Sequence, residues 1–189
     1  MVITIIAEPR SGSTNLADYF KSNKDFTILQ EPLNKYGKSY QKNNPINKWT
    51  YNTKHLLIKE IYDPNKNLKE LIQFSDKIII LYRENKNEQL ESWLVAKVTN
   101  NWRGKWVNSK IRIPNKELKI QFFNKMVNEF EIEYRLNNDM FKISYEELYY
   151  KNGFEKIVNY LNIDSVKNID FPYGQKYRLD KIEINKTLI

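Results

Sequence analysis

The chain has 189 residues, of which 41% are hydrophobic and 14% aromatic, and 31 Lys and Arg against 23 Asp and Glu give a net charge of +8. That length suits one domain with one core, spanning 1–189, and the apolar content excludes a disordered chain. With no cysteine and a single histidine, His55, the sequence excludes disulfide scaffolds, cysteine nucleophiles and thiolate metal sites, and it disfavours His-rich metal sites and most histidine-based triads. No apolar run approaches the ~20 residues that span a bilayer. The apolar start at 1–7 breaks at Glu8-Pro9 with no basic leader before it, so a soluble, cytoplasmic protein is expected. The basic balance attracts anions such as nucleotides, acidic glycans or nucleic acid. Lysine scattered among asparagine and isoleucine is also what AT-rich codons produce.

In chain order, Val2–Ala7 (VITIIA) is a short β-branched run that predicts a buried strand. A polar turn over 8–14 leads to a helix over 15–23 with Leu16, Tyr19 and Phe20 on one face. A second strand is expected at 26–29, an exposed insertion at 33–53, and a third strand at 55–62 (HLLIKEIY). After a helix at 68–74, Lys77–Tyr82 (KIIILY) reads as a fourth buried strand, followed by a helix at 87–99 with Leu90, Trp93, Leu94 and Val98 as its apolar stripe. Residues 100–114 are irregular, basic and aromatic. The longest helix is expected at 115–137, with Leu118, Phe122, Met126, Phe130 and Tyr134 at intervals of four. A fifth strand at 140–144 precedes helices at 146–150 and 154–161 and a polar tail with a turn at 171–174. Short apolar strands alternating with amphipathic helices predict an α/β fold: a P-loop three-layer architecture whose mostly parallel sheet of about five strands is flanked by helices.

The turn Glu8-Pro9-Arg10-Ser11-Gly12-Ser13-Thr14 between the first strand and first helix carries the sharpest chemistry. A Gly/Ser-rich turn that opens a helix aims backbone N–H groups at an anion, and the helix dipole adds partial positive charge. Gly12 permits close approach, Ser11, Ser13, Thr14 and the next residue Asn15 add polar groups, and Arg10 adds a planar cationic fork. An ordinary strand-to-helix turn with a Ser or Thr cap would use the same residue types. Against the nucleotide-binding pattern G-x-x-x-x-G-K-[ST], Gly12 and Thr14 align, but Ala7 replaces the first glycine and Ser13 the lysine. The loop suits a phosphate without suiting the usual nucleoside triphosphate–magnesium chemistry.

Residues 9–14 (PRSGST) resemble the 5′-phosphosulfate loop of sulfotransferases that use 3′-phosphoadenylyl sulfate (PAPS), in the arginine form typical of carbohydrate and bacterial members. The family's second motif, an arginine leaving a strand and a serine on the next helix, resembles Arg83 and Ser92. Their separation of nine positions is similar to that in bacterial glycolipid-type enzymes. Glu31-Pro32-Leu33 resembles the Glu-Pro found after the second strand in carbohydrate and bacterial members, and 141–161 (FKISYEELYYKNGFEKIVNYL) resembles the family's late strand-and-helix segment. The resemblance covers residues 2–163.

It implies that Arg10, Ser11, Gly12, Ser13, Thr14, Asn15, Arg83 and Ser92 hold PAPS, with 3′,5′-ADP as product and no metal. Arg10 would also stabilise the leaving phosphate, and Glu31 would be the catalytic base, with His55, whose plainer reading is a surface-loop histidine at the start of the third strand, its rival; only one of Lys59 and Glu60 is expected to face the crevice, because strand faces alternate. The acceptor would be a carbohydrate, glycolipid or small-molecule hydroxyl. Trp102, Arg103, Lys105 and Trp106 are candidates to stack on it or on the adenine. Tyr36, Tyr40, Trp49 and Tyr51 are candidates to line its cleft, and Lys176 and Arg178 to touch the cofactor. The shortness of the chain implies a small or exposed acceptor, or a homo-oligomer whose second subunit completes the site. The rival readings are a P-loop small-molecule or nucleotide kinase, which needs ATP–Mg, a basic nucleic-acid-binding module, which leaves Arg10 and Arg83 unexplained, and a sulfotransferase relative that binds nucleotide without transferring. No stable nucleic-acid partner is expected.

Overall fold

In β1 (Val2–Ala7) every residue is buried, as a central parallel strand covered on both faces must be. The computed structural model describes residues 1–35, 46, 49, 51–102, 112–136 and 140–163. These residues form a five-stranded sheet of β1, β2 (Phe26–Gln30), β3 (His55–Ile61), β4 (Lys77–Tyr82) and β5 (Phe141–Ser144) in the order β2-β3-β1-β4-β5. All four pairings are parallel.

Alternation along β1 sorts the core into two layers. Ile3, Ile5 and Ala7 pack with α1 (Ser13–Lys21), α5 (Tyr145–Tyr150) and α6 (Gly153–Leu161) through Leu16, Phe20, Leu148 and Ile157. Val2 and Ile6 face α2 (Lys69–Phe74), α3 (Lys86–Thr99) and α4 (Lys116–Phe130) through Leu71, Trp93, Leu94 and Phe123. Thr4 is the polar member of this second face, and its hydroxyl is satisfied 2.6 Å from Ser75 Oγ. The α/β fold read from the sequence is the observed one. Among the described residues no helix is long and apolar enough to cross a membrane.

Three expectations change. The stripe of fours on α4 turns outward at its start, with Leu118 65% and Phe122 48% exposed, while Phe123, Met126, Val127 and Phe130 are buried. A strict interval of four overruns the 3.6-residue turn, so the face drifts around the helix. Tyr134 returns to the core because Glu131–Arg135 continues α4 as a π-helix, closed by the Leu136 N–H donating to the Glu131 carbonyl at 2.9 Å. The segment 33–53 is not simply exposed. Ile46 and Trp49 are buried in the α2–α4 layer, with Leu33 and Tyr51 partly buried against it.

His55 is not a surface-loop residue. It opens β3, is buried, and its ring lies 4.9 Å from that of Phe26, at the amino-terminal pole of the sheet. This is the pole opposite the loop after β1, so the rival base stands at the wrong end. Burial, then the terminal ammonium of Met1 and Lys54, lower its pKa from 6.5 against the opposing pull of Asp25. The unfolded chain therefore binds the proton more readily, and stability falls as pH drops below about 6.5 toward the lower native value. Melting temperature measured between about pH 7.5 and 5 should fall less steeply in His55→Gln than in the parent; parallel curves would contradict this.

Candidate active site

Strand order places a crevice. The chain leaves β1 toward β2 on one side and leaves β4 toward β5 on the other, so the carboxyl ends of adjacent β1 and β4 form the switch point where open α/β sheets bind ligands. The loop 8–12 leaves β1 there, and Arg83 leaves β4 beside it.

A buried carboxylate ties the two together. Glu8 is fully buried, and its Oε2 accepts from the Arg83 N–H at 3.0 Å and from Gln89 Nε2 at 3.0 Å. Lys86 Nζ donates to both carboxylate oxygens, at 2.7 and 2.8 Å. Gln89 Nε2 also donates to the Pro9 carbonyl at 2.9 Å. A charge directly after a buried strand has to be paired, a signal the sequence reading left unused when it took Glu8 only as part of the turn. Gln89, in the first turn of α3, carried none.

Within the loop, the Ser11 hydroxyl turns inward and donates to the Glu8 carbonyl at 2.7 Å. Gly12 caps α1 at φ 82°, and no side chain caps the helix's first turn. The helix starts at Ser13, two positions before the sequence expectation, so Ser13, Thr14 and Asn15 lie in that first turn. A Cβ on Gly12 would come 2.8 Å from Tyr149 Cε2 and 2.9 Å from Tyr145 Cδ2. The Tyr149 hydroxyl meanwhile donates to the Gly12 carbonyl at 2.9 Å. Tyr145 and Tyr149, which the sequence reading passed over, thus hold the loop from the α5 side.

Arg10 bridges to the next helix. Its Nε donates to Ser92 Oγ at 2.8 Å and its Nη1 to the Trp102 carbonyl at 2.6 Å. Burial and then the like charge of Arg83 lower its pKa, with Tyr145 acting in the opposite direction. Arg83 lies 4.6 Å over the Tyr145 ring. Its Nη2 donates to Glu88 Oε2 at 2.6 Å, while its buried Nε has no hydrogen-bond partner. Arg10 is thus joined to Ser92 and lies near Arg83, while the structure records no contact between Arg83 and Ser92 among the described residues.

Glu31 stands at the end of β2, two strands from β1 or about 10 Å across the sheet. Its Oε1 accepts from Lys59 Nζ at 2.5 Å and its Oε2 from Asn34 Nδ2 at 2.9 Å. Burial pushes its pKa up, but Lys59, Asn34 and Lys66 outweigh that and hold it below the usual carboxylate range. Lys59 lies on β3 with the parity of Leu57, on the α1 side. Glu60 points the other way, accepting from Lys66 at 2.5 Å and from the Leu33 N–H at 3.0 Å. Arg10 and Glu31 share a further feature. Among the described residues with left-handed backbone, they are the two that are neither Asn nor Gly, at φ 65° and 56°, a conformation retained where surroundings over-determine it.

Trp102 is 44% exposed, and Trp49 belongs to the core. Tyr36, Tyr40, Arg103, Lys105, Trp106, the turn at 171–174, Lys176 and Arg178 lie outside the described residues. Among the described residues, no group of three or more His, Asp or Glu could hold a metal ion.

A solved structure of mouse sulfotransferase SULT7A1 complexed with PAP aligns with this chain at a TM-score of 0.59 and 18% identity, over 86% of this chain. The chain has the sulfotransferase fold. It spans 58% of that structure's chain. No family model matches it, and no curated protein matches it.

Substitution at Gly12 should disturb both the loop and the tyrosines behind it. Gly12→Ala is expected to cost about 1–3 kcal/mol through strain and displaced rings. A variant that melts like the parent would contradict the packing described.

Proposed function

We propose that this chain is a PAPS-dependent sulfotransferase acting on an acceptor hydroxyl. The observation that carries the reading is the meeting of two arginines from different strands, Arg10 and Arg83, beside an uncapped helix amino terminus at the switch point. Like charges gathered at partial burial are costly alone and become favourable around a polyanion. The buried Arg83 Nε, which makes no hydrogen bond, fits a nucleotide phosphate.

PAPS supplies an activated sulfuryl group and a phosphate leaving group. In this reading the N–H groups of the first turn of α1, with Ser13, Thr14, Asn15 and Arg10, hold the 5′-phosphosulfate end, and Ser11 shapes the loop from within. Arg83 and Ser92 hold the 3′-phosphate. The new bond joins the acceptor oxygen to sulfur while the sulfur–phosphate oxygen bond breaks. The electron pair left on the phosphate is stabilised by Arg10 and the helix terminus. Glu31, ionised at neutral pH by Lys59, takes the acceptor proton. The Glu31-Pro32-Leu33 segment and the arginine form of the loop favour a carbohydrate or glycolipid acceptor among hydroxyl compounds. Ser13 in place of a lysine disfavours phosphoryl transfer from ATP–Mg.

At about 100 times its dissociation constant, 3′,5′-ADP should stabilise the protein by about 2.7 kcal/mol, or roughly 5–10 °C, without magnesium. Arg83→Ala should lose most of this shift. Stabilisation by ATP–Mg with none by 3′,5′-ADP would reverse the reading in favour of a kinase.

Glu31→Gln should keep 3′,5′-ADP binding and slow sulfuryl transfer from radiolabelled PAPS by about 10²–10⁴-fold. Transfer at the parental rate would remove Glu31 as the base.

A further inference from the structure

Arg83, assigned above to the 3′-phosphate, is already engaged by carboxylates. Its Nη2 bonds Glu88 Oε2 at 2.6 Å, and Glu146 Oε1 lies 3.8 Å from its Nε. The two carboxylates are held differently. Glu146 accepts from the N–H groups of Glu84 at 2.9 Å and Asn85 at 3.1 Å, so it fixes the turn that leaves β4 and cannot move away cheaply. Glu88 is 47% exposed at its side chain, against 11% for Arg83.

The start of α3 does not depend on the Glu88 carboxylate. Asn85 Oδ1 accepts from the Glu88 backbone N–H at 3.2 Å, and that cap survives wherever the side chain points. The carboxylate can therefore swing into water. A phosphate monoester brings more negative charge and three acceptor oxygens to the same guanidinium, so it is the stronger partner in an exchange.

We propose that Glu88 sets nucleotide affinity by occupying Arg83 in the absence of ligand and yielding it to the 3′-phosphate. The inference rests on the PAPS reading. Its consequence is a nucleotide site weaker than its two arginines would otherwise make it, from which 3′,5′-ADP leaves faster after transfer. Glu88 acts through Arg83 and is a positioning residue rather than a catalytic one.

Calorimetric titration of the parent, Glu88→Gln, Arg83→Ala and the double variant with 3′,5′-ADP and with 5′-AMP, which lacks the 3′-phosphate, tests this. Gln keeps the length of the side chain and removes its charge. Glu88→Gln should bind 3′,5′-ADP about three- to ten-fold tighter, the scale of one partly exposed charge-assisted pair released. Its affinity for 5′-AMP should change by less than about two-fold, and the gain should disappear in the Arg83→Ala background. Unchanged or weaker 3′,5′-ADP binding, an equal gain for 5′-AMP, or a gain that survives Arg83→Ala would each overturn the proposal. Binding of 3′,5′-ADP by neither the parent nor Glu88→Gln would overturn the PAPS reading and this inference together.

Discussion

The carboxylate of Glu8 is the constraint on which the site depends. It sits fully buried one residue past β1 and, among the described residues, is satisfied by groups from the end of β4 and the start of α3. A buried carboxylate stripped of its partners costs several kcal/mol, so the loop cannot drift away from β4 without paying that penalty. Gln89 tightens the same junction by binding Glu8 and the Pro9 carbonyl together. The relative placement of Arg10 and Arg83 is therefore decided in the core, beneath the surface where a ligand would meet them.

Above that junction the electrostatics are arranged for an anion. Two guanidinium groups, a helix amino terminus and Ser92 converge, and the Tyr145 ring lies beneath Arg83 and beside Gly12. The offsetting carboxylates, Glu88 and Glu146, lie to the outside of Arg83. Two strands away from β1, at the end of β2, Glu31 and Lys59 form a second, nearly neutral pair.

Much of this was legible in the chain because it rests on short-range rules. The β-branched runs gave β1 and β4 with their observed bounds, and the Gly-Ser turn between strand and helix marked the loop. Arg83 was singled out by the resemblance of its strand and following helix to a known motif, since a charge at a strand end by itself reads as solvated. What escaped depends on geometry that periodicity does not record. The π-helical turn that returns Tyr134 to the core changes the helix period locally. Trp49 is buried by long-range packing, although its neighbours in sequence are polar. The Glu31–Lys59 pair joins residues 28 positions apart, brought together by β2–β3 pairing. The burial of His55 was missed because it comes from the Phe26 ring set beside it by β2–β3 pairing, which the local sequence does not record.

The most direct test of the account is a crystal structure of the protein with 3′,5′-ADP. The account predicts the 5′-phosphate against the first turn of α1 with Arg10, and the 3′-phosphate on Arg83 and Ser92, with Glu88 turned away from Arg83. A nucleotide bound elsewhere, or one whose 3′-phosphate lies away from Arg83, would contradict it.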